Sequence, residues 1–122
     1  MIGYVTLGTN DFERAGRFFD ELLGEFGAKR FMDEETLIVW ATAPDAPMVS
    51  VIKPFDGKPP TVGNGVMVAL SVDSRDKVDA LHRKALELGA ADEGAPGPRG
   101  EGFYAGYFRD LDGNKFNAFV AG

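Results

Sequence analysis

One stretch of the chain is written twice. Residues 4–28, YVTLGTNDFERAGRFFDELLGEFGA, lie over residues 67–90, MVALSVDSRDKVDALHRKALELGA, when Tyr4 is set against Met67 and one gap is allowed near the end of the helix. In each copy a strand-like run meets a polar cap, then an apolar stripe at three- and four-residue spacing, then a glycine that stops it. A single copy would leave one apolar sheet face open, so duplication has a physical purpose: two halves cover what one cannot. The chain has 122 residues, a length at which a single core is expected.

The remaining elements follow the same order in both halves. Ile2 to Leu7 reads as a strand, with Thr9, Asn10 or Asp11 as the helix cap and Ala15, Phe18, Phe19, Leu22 and Leu23 as the buried stripe up to Gly24 or Gly27. Lys29 to Met32, Thr36 to Thr42 and Met48 to Ile52 read as strands, the last two forming a hairpin braced by Pro44 and Pro47. Pro54 to Gly65 holds three prolines and three glycines and divides the chain. Val66 to Val72 is then a strand, Asp73 or Ser74 a cap, and Val78, Leu81, Ala85 and Leu88 the stripe of a helix ending at Gly89. A short extended piece, Ala90 to Glu93, precedes a Gly/Pro loop, Gly94 to Gly102; the strands Phe103 to Arg109 and Lys115 to Val120 flank the turn Asp110–Asn114. The expected modules are therefore about 1–56 and 66–122, with a linker at 57–65.

Charge and composition exclude several functions. Nineteen acidic residues against 13 Lys and Arg give a net charge of −6, a field that repels nucleic acid and anionic lipid and favours cationic ligands. No apolar run approaches the roughly 20 residues of a membrane span, and the start MIGYVTLG reads as a strand, not a leader. The chain has no cysteine, so thiol catalysis and disulfides are excluded; the expected setting is a reducing, bacterial cytoplasm.

The run YAGYFRDLDGNKFNAFV resembles the final hairpin of the vicinal oxygen chelate superfamily, the glyoxalase, bleomycin-resistance and extradiol-dioxygenase group. There, one strand reaches D-P-D-G-N and the next carries a key residue; here Leu111 replaces the proline. The resemblance extends over nearly the whole chain and includes VTLGTNDFERAGRFFDELLG, VALSVDSRDKVDALHRKALELGA and, for a glyoxalase-like branch, EGAPGPRGEGFYAGY. It implies an α+β fold: two βαβββ modules whose curved mixed sheets enclose a cleft, with helices on the outer faces.

In that superfamily four inward side chains bind a divalent metal, and the matching places here are Tyr4, Ser50, Met67 and Asn117. A phenol, a hydroxyl, a thioether and an amide are poor ligands for such metals, so the expectation is no metal and no cofactor. His82 sits on the second helix and reads as a partly exposed helix residue.

Strand parity fills in the expected cleft. If Asn117 points in, so does Phe119, with Tyr107 opposite Asn117 and with Phe108, Phe116 and Ala118 turned to a helix. The same reasoning sets Trp40 opposite Ser50, and takes Tyr4, Thr6, Met67 and Ala69 from the leading strands. Arg99, braced by proline and glycine, stands near the entrance and can pair with an anionic group. The expected ligand-binding set is Tyr4, Thr6, Trp40, Ser50, Met67, Arg99, Tyr107, Asn117 and Phe119.

Three functions compete. A binding module of the bleomycin-resistance kind, holding an aromatic or apolar small molecule as a homodimer, needs only a shaped cleft. A glyoxalase-like lyase, isomerase or dioxygenase would need ligands that are missing. A structural or partner-binding domain would have the cleft filled by its own side chains.

Overall fold

The computed structural model describes residues 1–122. The chain divides into two compact units, Met1–Thr61 and Val62–Gly122, and each is a βαβββ module with one helix and a four-stranded mixed sheet. The first holds β1 (Tyr4–Gly8), α1 (Phe12–Gly24), β2 (Lys29–Asp33), β3 (Leu37–Ala41) and β4 (Met48–Ile52), in sheet order β1-β4-β3-β2. The second holds β5 (Val68–Ser71), α2 (Arg75–Glu87), β6 (Ala91–Pro98), β7 (Phe103–Arg109) and β8 (Lys115–Ala121), in order β5-β8-β7-β6. The leading strand of each module runs parallel to the last one, and the other pairings are antiparallel.

Local chemistry sets the helix ends. The Asp11 carboxylate accepts from the Arg14 amide at 3.1 Å, and the Ser74 hydroxyl accepts from the Lys77 amide at 3.2 Å, each satisfying a free donor of the first turn. Both helices close through a glycine at positive φ, Gly27 at 78° and Gly89 at 104°. The next amide then bonds back to the last turn, Ala28 to Leu23 and Ala90 to Ala85.

Each helix covers one face of its sheet. Phe18, Phe19, Leu22 and Leu23 are buried on α1, and Phe19 packs against Trp40 of β3 with ring centroids 5.5 Å apart. In the second module Val78, Leu81 and Ala85 are buried beside Phe108 and Phe116, whose rings stack at 5.5 Å and are wholly excluded from solvent. Burying rings of that size contributes roughly 2–3 kcal/mol each.

Three expectations are corrected. Trp40 pairs with Val49, not Ser50, and Ser50 pairs with Val39; the one-residue shift turns the indole onto α1, where its Nε1–H donates to Asp20 at 2.9 Å. Trp40 therefore does not line the helix-free face. The expected loop Gly94–Gly102 is largely strand, because β6 continues to Pro98 through register shifts between Asp92 and Gly97. His82 is buried, at 4% exposure. Its ring lies over Gly106, where an added Cβ would come within 3.1 Å of Cδ2, and a glycine in mid-strand is what admits it. Its Nε2–H is shared between the Asp92 carboxylate at 3.2 Å and the Tyr107 carbonyl at 3.1 Å.

Candidate functional site

The sheet faces turned away from the helices can be compared row by row, because the registers of the two modules correspond. In the first module the row reads Thr6, Ser50, Val39, Met32 across β1, β4, β3 and β2. In the second it reads Ala69, Asn117, Tyr107, Gly94 across β5, β8, β7 and β6. The repeat that aligns Tyr4 with Met67 also aligns Thr6 with Ala69, so Ser50 and Asn117 hold equivalent places.

The two polar residues have different partners. Ser50 is fully buried and its hydroxyl donates to the Val5 carbonyl at 2.8 Å, with the Thr6 hydroxyl 2.9 Å away. Asn117 is 2% exposed, and its side-chain oxygen is buried with no donor in reach. One strand over, the first module has the Thr6 hydroxyl where the second has Ala69, which carries no polar group. A buried acceptor left without a donor costs about 1–3 kcal/mol.

Around Asn117 the face is aromatic and reachable. Tyr107 and Phe119 are half-buried, Ala69 is exposed, and Phe119 stacks on Phe103 at 5.3 Å. Two cations reach the Tyr107 ring from the strands that flank β7. The Lys115 ammonium on β8 lies 5.6 Å from the ring centroid, and the Arg99 guanidinium just beyond β6 lies 5.5 Å from it. Arg99 is pinned by its Nη2–H to the Ala95 carbonyl at 2.7 Å. The guanidinium occupies space left by two glycines: a Cβ at Gly97 would meet Nη1 at 3.1 Å, and one at Gly94 would meet Nη2 at 3.3 Å. At the end of the same face, Arg109 donates to Glu93 at 3.0 Å and to the Gly113 carbonyl at 2.9 Å.

The buried Asp110 shapes the turn that aims β8. It accepts from the Asp112 and Asn114 amides at 2.9 and 2.8 Å and from the Asn114 side chain at 3.0 Å. Burial still outweighs these bonds and pushes its carboxyl above the ordinary value.

The expected set is thus only partly drawn together. Asn117, Tyr107, Phe119 and Arg99 share the second module's helix-free side, with exposed Met67 just ahead of β5; Tyr4 and Thr6 are exposed on β1 of the first module, while Ser50 is sealed. Sequence reasoning missed Lys115, though its place two residues before Asn117 on an alternating strand was a readable signal. Two surface hollows of about 700 Å³ lie elsewhere: one is lined by Asn10, Asp11, Arg17 and Lys53, the other by Asp79, His82, Pro96 and Tyr104.

A divalent metal does not suit this donor set. The Ser50 hydroxyl is engaged with Val5 and Thr6, neither Met67 nor Asn117 offers an anionic or imidazole donor, and no three His, Cys, Asp or Glu residues gather anywhere in the chain. No helix is long and apolar enough to cross a membrane.

Comparison with known proteins places this geometry. The model of the glyoxalase/bleomycin resistance protein/dioxygenase superfamily matches residues 1–118. A glyoxalase/bleomycin resistance protein from Albidiferax ferrireducens T118 is 32% identical, with a TM-score of 0.89 over 98% of this chain and 97% of that one. A lactoylglutathione lyase from Agrobacterium tumefaciens (20% identity, TM-score 0.72, 98% and 92% covered) shares the fold. So does a fosfomycin resistance protein from Mesorhizobium loti (19% identity, TM-score 0.72, 100% and 92% covered). No curated protein matches the chain in sequence.

Proposed function

Because the chain belongs to the glyoxalase/bleomycin resistance protein/dioxygenase superfamily, we propose that it binds a small aromatic or apolar molecule, without metal, on the helix-free face of its second module. The observation that carries this reading is the Asn117 oxygen, buried and without a donor, beside the half-buried rings of Tyr107 and Phe119. A ligand N–H or O–H would remove that deficit, and the rings would supply contact area. Met67 and Arg99 border the same side.

The proposed working form is a homodimer in the cytoplasm. Ile2, Tyr4, Phe31, Phe55, Val66 and Met67 are large, apolar-bodied and exposed, and a second copy would cover such surface. Sedimentation showing a monomer at micromolar concentration would overturn this part.

Ligand-observed NMR against a library of flat heterocycles tests the main proposal. Hits should perturb the Asn117 side chain, and Asn117→Leu should weaken them by about 1–3 kcal/mol while the fold persists. Affinities unchanged by that substitution would remove this face as the binding site.

A further inference from the structure

Resting on that reading, we infer that the ligand of this face is an acid: an aromatic or apolar body carrying an oxyanion for Arg99 and Lys115 and an N–H or O–H for Asn117. The chain as a whole is acidic, at −6, yet the two side chains brought to Tyr107 are both cations. Neither has a carboxylate in ion-pairing range: Arg99 donates only to the Ala95 carbonyl and, at 3.4 Å, to the Pro98 carbonyl. The other cation of this face, Arg109, is matched by Glu93. Like charges gathered on one ring repel each other until an anion joins them.

The arginine is also placed, not merely present. Its guanidinium fits over Gly94 and Gly97, which side chains at those positions would crowd, and the Ala95 carbonyl fixes its plane. Most of its five donors stay open to a carboxylate or sulfonate. The net-charge argument for a cationic ligand fails here because recognition follows the local field, which on this face is positive.

Two dyes of matching shape separate charge from shape. 8-Anilinonaphthalene-1-sulfonate carries fused rings, one N–H and a sulfonate; N-phenyl-1-naphthylamine has the same skeleton without the charge. The sulfonate should bind about tenfold more tightly or better. Arg99→Gln and Lys115→Gln should each weaken it about tenfold, leave the neutral dye within about twofold, and yield largely to Arg99→Lys in the first case. Asn117→Leu should weaken both dyes. Sulfonate binding that ignores both charge removals, or charge removals that weaken the two dyes equally, would overturn the acid inference. If Asn117→Leu still weakens both dyes in that event, the face stands as a neutral-ligand site. Indifference of both dyes to Asn117→Leu would instead sink the face itself. Circular dichroism of each variant keeps misfolding apart from lost contact.

Discussion

The two modules share a register and differ in what they do with one row of side chains. The first module meets its own needs: Ser50 finds Val5 and Thr6, and Trp40 faces α1, where Asp20 takes its N–H and a two-pronged bond from Arg30 at 2.8 and 2.9 Å. The second leaves Asn117 without a donor and Tyr107 under two cations that lack carboxylate partners. Along this row the first module is closed on itself, and the second has unmet hydrogen bonding and charge. Unmet valence on a shared scaffold is how a site is told from a core.

The largest effect should separate the two aromatic residues. Trp40→Ala removes a ring that is 1% exposed and should destabilise the fold by about 3–5 kcal/mol, read by chemical denaturation. Tyr107→Ala should cost about 1 kcal/mol of stability yet abolish most dye binding. Equal destabilisation by the two would collapse the contrast between core ring and site ring. Next in size is Ala69→Thr, which copies the first module's arrangement into the second. A hydroxyl beside Asn117 should raise stability by about 1 kcal/mol and weaken binding, since the donor that a ligand would bring is already there. A rise in affinity would show that Asn117 is not waiting for a donor.

The smallest effect is a pH response of opposite sign in the two halves. Burial alone would raise the Asp20 carboxyl, but the hydrogen bonds from Arg30 and Trp40, with the Arg30 charge, hold it below its ordinary value of 3.8. Its stabilisation is therefore complete above that value and lost as pH falls through the lowered one. Asp110 is raised by burial, so its contribution is complete below 3.8 and fades as pH rises through the raised value. Carboxyl NMR titration should show Asp20 titrating below Asp110; the reverse order would remove this asymmetry.

Most of the fold was legible because its signals are local. Helix stripes, caps and the stopping glycines Gly27 and Gly89 are each set within a few residues. The final hairpin was legible too, since Lys115-Phe116-Asn117-Ala118 alternates polar with apolar and the tight turn after Asp110 fixes the pairing of Tyr107 with Asn117. The strand LIVWA carries no such alternation. Ile38, Val39 and Trp40 are buried although they point to both faces, so the apolar run gave no parity and Trp40 was assigned to the wrong side. The placement of Arg99 over the Tyr107 ring was not readable, because β6 reaches Pro98 through irregular pairing that no short-range pattern encodes.

The parallel pairing of β5 with β8 has a consequence in time as well as space. β5 is four residues long, lies at the edge of its sheet and has a single partner strand, whereas β7 beside Asn117 on the other flank is seven residues long and paired on both sides. Local opening begins where the fewest bonds must break. Fluctuations of this module should therefore lift the strand that carries Ala69 while the β6-β7-β8 meander stays whole. Asn117 would then keep one steady neighbour and one that opens, and amide exchange in β5 should run faster than in β7.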